Sequence, residues 1–484
     1  MYIKSLEIEN LRVFAKVKLG FQYPGKPVVK GAVPAFPNVN LILGNNGQGK
    51  TTVLRAIALS ALSTILKDAG YTPYSMIRRK PGKESMKAGE KDEAVLTGTF
   101  VFHDQDVGSR SDVLNDNPYD TRVVIERKTH LERIRDDGSR TESDSVWEKM
   151  YDNDSPAFLV VGYSATRRVE EPQNYDAAAR NRKALRYQRI AGLFQESFSM
   201  IPLERWLPDL KSRNRGRYTQ VIHLIDKLLE KPFRFVGDFR REEYYFRQGA
   251  SSVPLGALSD GYRAHVGWIS DLLYHICKGC PSGKKLTETR GIVMVDEVDL
   301  HLHPSWQRTV VPALSKTFPA LQFIVTTHSP IITGSLYSDN IWVMQEKRGR
   351  SVAVSLEGKI HGLNADQILV SHYFGLESSR SPSMQKKMHD VNLRALAGDK
   401  DASLEMLQYL SRGIESERER EESRSTPAEK SPLKREVGKA KKKSAKRRKK
   451  TAKAKKRSTK PRKKAAKKKK SAKRRRKAAT AKMK

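Results

Sequence analysis

GNNGQGKT, Gly44 to Thr51, is the stretch that decides the fold. It has the form G-x-x-x-x-G-K-[ST]. It follows the apolar run VNLIL (Val39 to Leu43), which reads as a buried strand, and it opens a helical pattern from about Lys50 to Lys67. Strand, glycine-rich loop and helix in that order make a phosphate cradle. The loop turns its backbone N–H groups inward, and the helix N-terminus adds positive potential. Gly44, Asn45, Asn46, Gly47, Gln48, Gly49, Lys50, Thr51 and Thr52 are therefore the expected nucleotide contacts. Lys50 reaches the β- and γ-phosphates, and Thr51 reaches Mg²⁺.

A second motif supplies the partner carboxylates. In GIVMVDE (Gly291 to Glu297) four apolar residues form a buried strand, and Asp296 and Glu297 stand at its C-terminal end. Ligands collect at that end of the strands in an open α/β sheet. Asp296 is expected to hold the Mg²⁺ water shell. Glu297 is the candidate that positions or deprotonates the attacking water. The expected cofactors are ATP and Mg²⁺.

Two further segments carry a resemblance. LSDGYR (Leu258 to Arg263) opens a helix and resembles the LSGGQ signature of ABC ATPases, with Asp260 in place of the family's third-position Gly. The resemblance implies that Ser259 and Gly261 contact the γ-phosphate held by an opposite subunit. His328 in FIVTTHSP matches the family's switch histidine, which senses the γ-phosphate. DEVDLHLHP (Asp296 to Pro304) is similar to the segment after Walker B in RecF-like and OLD-like ATPases, where Asp299 takes the D-loop position. The opening IKSLEIENLRVF also resembles the first strands of RecF-like proteins. VVGYSATRR (Val160 to Arg168) occupies the place of a Q-loop, with Arg167 or Arg168 as the candidate link between lobes. The resemblance covers most of residues 1–375. It implies an α/β P-loop NTPase of the ABC-ATPase type that closes as a homodimer around two ATP molecules.

Outward from these motifs, period-2 alternation predicts strands at 2–9, 13–22, 94–103 and 121–128. Buried strands are expected at 158–162, 291–295 and 321–326, and a polar turn region over 129–156. A helical, Arg-rich stretch runs from about Tyr175 to Glu230. Strands follow at 233–247, 340–346 and 351–355, and helices at 259–278, 364–372 and 384–411. The expected organisation is an ATPase head over 1–412 with a mixed inserted helical lobe at about 70–250. A charged linker over 413–438 and a disordered basic tail over 439–484 complete it. The insertion lacks sustained heptads, so long coiled-coil arms are not expected.

Charge is concentrated in the tail. Lys439 to Lys484 contains 28 Lys/Arg and no Asp or Glu. Subtracting these from the 92 basic residues leaves 64 against 54 acidic ones, a body charge of +10 of the total +38. A Lys/Arg tail with Ala, Ser and Pro spacers cannot build a core. It resembles a linker-histone tail and reads as a sequence-independent DNA binder, with charge for phosphates and nothing to read bases; a polybasic contact with lipid is the competing reading. Within the body, Arg180, Arg182, Arg186 and Arg189 form one basic cluster. Lys211, Arg213, Arg215 and Arg217 form another, and either is a DNA-contact candidate or a solvated surface.

Other features exclude alternatives. Two cysteines, Cys277 and Cys280, rule out a disulfide framework and fit a reducing compartment. With His275 they make a lone CxxC without further metal-ligand partners, read as small apolar residues near a helix end. No apolar run approaches about 18 residues, and the N-terminal strand pattern lacks a signal-peptide core, so a cytoplasmic location is expected. Glu357 and the pair Asp399/Asp401 have the residue types of the Toprim nuclease found in OLD-type relatives. But LRALAGDKDAS reads as helix end and turn, so an intrinsic nuclease is not expected. NADQILVSHYFGLESSRS resembles the C-terminal end of single-domain AAA-type ATP-binding proteins, some of them paired with HNH nucleases in the Septu anti-phage system. The expected function is an ATPase that couples ATP-driven dimerisation to DNA binding in DNA repair or anti-phage defence, with a separate nuclease or other effector. The alternatives are a nucleoid-associated DNA-binding protein with a regulatory ATPase, or the soluble ATPase subunit of a transporter. Deleting residues 430–484 separates the first two, and co-purification with a permease marks the third.

Overall fold

Residues 1–26, 34–79, 92–103, 118–128, 131–136 and 149–409 are described in a computed structural model of the chain. The linker 413–438 and the basic tail 439–484 lie outside the described residues. The chain divides into two units, Met1–Ser379 and Arg380–Lys484.

Alternating side chains make the first sheet. In β1 (Tyr2–Leu11) Leu6 and Ile8 are fully buried, while Glu7 and Glu9 are partly exposed. It pairs antiparallel with β2 (Phe14–Gly20). The apolar run Val39–Leu43 forms β3 and feeds α1 (Lys50–Asp68). β4 (Glu93–Val101), β5 (Tyr119–Lys128) and β6 (Leu131–Asp136) then return to the first sheet, in the order β2-β1-β4-β5-β6. β6 lies inside the stretch expected as a turn region. Its alternation is disguised because a carboxylate faces inward. Glu132 is 3% exposed and accepts from the Met76 and Ile77 amides, with Arg127 2.7 Å away, while Leu131 faces out.

The second sheet carries the site. Its order is β14-β13-β3-β12-β11-β7, built from β7 (Val160–Tyr163), β11 (Gly291–Val295), β12 (Leu321–Thr326), β13 (Ile341–Lys347) and β14 (Arg350–Val354). Every pairing is parallel except that of β13 with β14. These strands read as continuous apolar runs because both faces are covered. Ile42, Ile292, Met294 and Ile324 face α1 and the antiparallel sheet. Leu41, Leu43, Val293, Val295, Phe323 and Val325 face the opposite core.

α2 (Ala177–Asn181) and α3 (Leu185–Ile190) come next, and Tyr187 and Ile190 of α3 pack in the core shared with α1. α4 (Leu203–Arg213) and α5 (Arg215–Leu228) help build the opposite core. The small sheet β10-β9-β8, made of β8 (Phe233–Arg240), β9 (Glu243–Gln248) and β10 (Ser251–Pro254), leads into α6 (Asp260–Gly279). Within the stretch 70–250, then, β4–β6 complete the sheet of β1 and β2, and β7 edges the main sheet. Among the described residues of that stretch, helix beyond α1 begins only after β7. α7 (Pro304–Gln307) and α8 (Val310–Thr317) connect β11 to β12, α9 (Pro330–Gly334) follows β12, and α10 (Ala365–Leu369) lies near the end of the unit.

In the second unit, α11 (Pro382–Leu396) ends at a turn through Gly398 (φ 94°), and a further helix covers 400–409. The single helix expected over 384–411 is therefore broken. Asp399 accepts from the Asp401 and Ala402 amides at 3.0 and 3.1 Å and pairs with Arg394 at 2.7 Å. That carboxylate starts a helix, as Asp side chains do.

Candidate nucleotide-binding and hydrolysis site

Three neighbouring strands deliver the site. β3, β12 and β11 lie side by side and parallel, so the loop after β3, the residues after β12 and those after β11 emerge together at one edge. The glycine-rich loop holds its turn where a side chain has no room. Gly49 has φ 95°, and a Cβ there would come within 2.5 Å of the Phe14 ring. Gln48 accepts from the Asn45 amide at 2.7 Å and closes the loop on itself.

Lys50 and His328 meet in this loop. Lys50 Nζ donates to the Gly44 and Asn45 carbonyls at 2.8 and 3.2 Å and lies 2.7 Å from His328 Nε2. Burial lowers the Lys50 pKa from its ordinary value, while Asp296, Glu297 and Asp299 oppose the shift. Burial and the Lys50 charge lower that of His328. A neutral imidazole accepts from the ammonium through Nε2, which leaves the ring proton on Nδ1.

Asp296 is buried and held by two hydroxyls. Thr51 Oγ1 donates to Oδ2 at 2.7 Å, and Thr326 Oγ1 donates to Oδ1 at 2.5 Å. Thr326 also accepts the Glu297 amide at 2.8 Å. Glu297 stands in the left-handed region (φ 47°), half-buried. Among the described residues its carboxylate has no hydrogen-bond partner, so it is free to engage a water. Asp299 accepts from Thr327 Oγ1 at 2.5 Å. Residue-type reasoning passed over Thr326 and Thr327. Their signal was the TT directly before His328, where a strand end places two hydroxyls beside Asp296 and Asp299.

The donor set suits Mg²⁺. The Thr51 hydroxyl and the Asp296 carboxylate are hard oxygen ligands already in contact. Mg²⁺ takes one or two carboxylates together with phosphate and water oxygens rather than an all-protein cage. No group of three or more His, Cys, Asp or Glu poised to hold a metal occurs among the described residues.

Ser259 and Gly261 sit on another feature of the fold. Ser259 is the N-cap of α6, and its side chain caps no amide. Gly261 lies so close to the His301 carbonyl that a Cβ would overlap it. The residue that departs from the signature, Asp260, is exposed and pairs with Arg263 at 3.1 Å, so it leaves this packing undisturbed.

The basic clusters separate. Arg186 is 1% exposed and donates to the carbonyls of Asp152, Ser155 and Ala157 at 2.6, 3.2 and 3.0 Å. Arg189 is equally buried, its guanidinium has no hydrogen-bond partner among the described residues, and burial beside Arg186 lowers its pKa to about 9. Arg180 donates to the Ser199 carbonyl and lies over the Phe198 ring. The DNA-facing reading of these three is corrected: helical spacing pointed them at the core, and only Arg182 of the four is exposed. Arg217 likewise holds the Cys277, Cys280 and Pro281 carbonyls at the end of α6, whereas Lys211, Arg213 and Arg215 are exposed. Arg186→Leu is expected to cost about 2–4 kcal/mol in chemical denaturation, because it strands the buried Ser155 and Ala157 carbonyls, and to leave DNA binding by the folded chain unchanged.

Cys277 and Cys280 are free thiols at the α6 terminus. Burial pushes the Cys277 thiol up to about 12, which disfavours the thiolate that metal or redox chemistry requires. Cys280 Sγ lies 3.5 Å from the Lys284 carbonyl.

The fold is that of an α/β P-loop NTPase. Residues 39–333 match the family described as "AAA domain, putative AbiEii toxin, Type IV TA system", and the chain belongs to that family. It is 25% identical over 379 residues to the Septu protein PtuA of Bacillus mycoides (strain KBAB4), covering 78% of this chain and 45% of that one. It is 35% identical over 135 residues to the "Retron Vc95 probable ATPase" of Vibrio cholerae serotype O1 biovar El Tor, covering 28% and 26%. The chain thus spans under half the length of the first relative and about a quarter of the second. Among solved structures it is similar to the SmcHead bound to the C-winged helix domain of ScpA, with 17% identity and a TM-score of 0.46, covering 74% of this chain and 98% of that one. No helix among the described residues is long and apolar enough to cross a membrane.

Proposed function

We propose that this chain binds Mg-ATP on Gly44–Thr51 and hydrolyses it, working as a dimer in anti-phage defence with a separate effector. The observation that carries the reading is the Thr51–Asp296 contact of 2.7 Å, with the Glu297 carboxylate, unpaired among the described residues, one residue further on. Mg²⁺ held there by Thr51 and Asp296 would supply charge neutralisation for the phosphates. Lys50 has a short path from its loop carbonyls to those phosphates. Thr51 and Asp296 present the metal-facing oxygens. Glu297 holds the attacking water and takes its proton, and His328 stands beside Lys50 to report on the γ-phosphate.

Ser259 caps no amide of its own helix, which leaves its hydroxyl available to a nucleotide on a second copy. In that arrangement a single chain has an incomplete site, and two copies close around two ATP. Similarity to proteins named Septu PtuA and retron ATPase supports the defence role, and the damaging chemistry then falls to a partner such as a nuclease. The 28 Lys/Arg of the tail support DNA binding through phosphates, and a cytoplasmic location fits these activities.

The test is steady-state hydrolysis of ATP by the full chain with Mg²⁺, together with light scattering with and without ATP. Turnover and an ATP-dependent doubling of mass are expected. Ser259→Arg should bind ATP yet stay at single mass. Absence of turnover, or doubling that ignores both ATP and Ser259→Arg, contradicts the reading.

A further inference from the structure

The turn after β11 is gripped from two sides. On one side Gly261, at the start of α6, lies against the His301 carbonyl. On the other, Arg167 is buried and donates Nη1 to the Asp296 carbonyl and Nη2 to the Glu297 carbonyl, the latter at 2.9 Å. Arg167 follows β7, whose last residue pairs with Val295 and accepts the Asp296 amide at 2.9 Å through the Tyr163 carbonyl. The same Tyr163 donates its hydroxyl to Asp271 of α6 at 2.8 Å. The segment Tyr163–Arg167 is therefore tied both to the Walker B turn and to the helix that begins with the signature.

We infer that Arg167 is a positioning residue for hydrolysis: its guanidinium fixes the peptide planes of Asp296 and Glu297 and so aims the Glu297 carboxylate. This rests on the role of Glu297 proposed above. The physical need is specific. Glu297 sits at φ 47°, a conformation that non-glycine residues hold only when the surroundings enforce it. Its amide is held by Thr326, but among the described residues its side chain has no hydrogen-bond partner to orient it. The carbonyls are the remaining handles, and a planar fork that donates to two successive carbonyls restrains both peptides at once. A lysine is a single charged point and offers no such fork. Arg167 also sets a positive charge against the Asp296, Glu297 and Asp299 carboxylates. Burial lowers its pKa only to about 10, so it stays charged at neutral pH.

The experiment compares Arg167→Met and Arg167→Lys with the parent chain in kcat, KM and direct ATP binding. Arg167→Met should lose about 10²-fold in kcat, the scale of a small misplacement of a catalytic group, with ATP affinity nearly unchanged. Arg167→Lys should recover part of that loss. In a Glu297→Gln background, Arg167→Met should lower turnover no further, because the group it aims is already gone. An unchanged kcat, a matching fall in ATP affinity, or a full additional loss in the Glu297→Gln background overturns the inference. Where Arg167→Met does not fold, Arg167→Lys decides on the same split of kcat from KM. A parent chain without turnover sinks the ATPase reading, and this inference with it. A parent chain that turns over while Arg167→Met matches it sinks this inference alone.

Discussion

Glu297→Gln is expected to lower kcat for ATP hydrolysis about 10²–10⁴-fold, the usual scale of a lost general base, and to leave ATP binding nearly intact. The amide is isosteric, so the backbone contacts of residue 297 with Thr326 and Arg167 persist. The carboxylate has no hydrogen-bond partner among the described residues, so no neighbour is orphaned by the change. Only proton acceptance is removed. The variant should therefore accumulate as an ATP-bound dimer, visible by light scattering and by ATP retention on a desalting column. Equal kcat in parent and variant means that another group activates the water. A variant that loses ATP binding as well means that Glu297 holds the nucleotide instead of the water.

Lys50→Ala acts at the preceding step and should raise the Kd for ATP about 10²-fold or more. Hydrogen bonds to charged groups are worth about 1.5–3 kcal/mol each, and the ammonium is placed to reach two phosphates. A loss of about 3 kcal/mol corresponds to about 10²-fold in Kd. The fold should tolerate the change, because burial already disfavours the Lys50 charge. Titration calorimetry should find weak or undetectable ATP binding, while the thermal midpoint stays close to that of the parent. Unchanged affinity would show that the loop amides alone hold the phosphates. A collapse of the midpoint would show that the Lys50 contacts with Gly44, Asn45 and His328 hold the loop together. The two variants separate binding from chemistry: Lys50→Ala fails to load ATP, and Glu297→Gln loads it and stalls.

Much of this was legible along the chain because it rests on short-range physics. Gly44–Thr51 announces itself through residue types demanded by a tight turn next to phosphate. VNLIL, GIVMV and LQFIVT announce buried strands because parallel strands covered on both faces admit few polar residues, and all three appear at those positions. Placing Asp296, Glu297 and His328 at strand ends needed nothing further.

The remainder depended on where each element meets its neighbours. The sequence alone determined a glycine-rich loop between strand and helix and a carboxylate pair at a second strand end, since each follows from local composition and spacing, while the place of His328 came from a family resemblance. It also determined that the positive charge is concentrated in the tail. Tertiary structure alone decided that β6 is a strand, because Glu132 faces inward only when the Met76 and Ile77 amides arrive to meet it. It alone decided that Arg186 and Arg189 belong to the core, since a local window shows helical spacing but not what packs on the face. It alone placed Arg167 on the Asp296 and Glu297 carbonyls across 129 and 130 residues of chain. Backbone carbonyls are identical at every position, so their partner side chains leave no mark in the sequence, and only the fold brings them together.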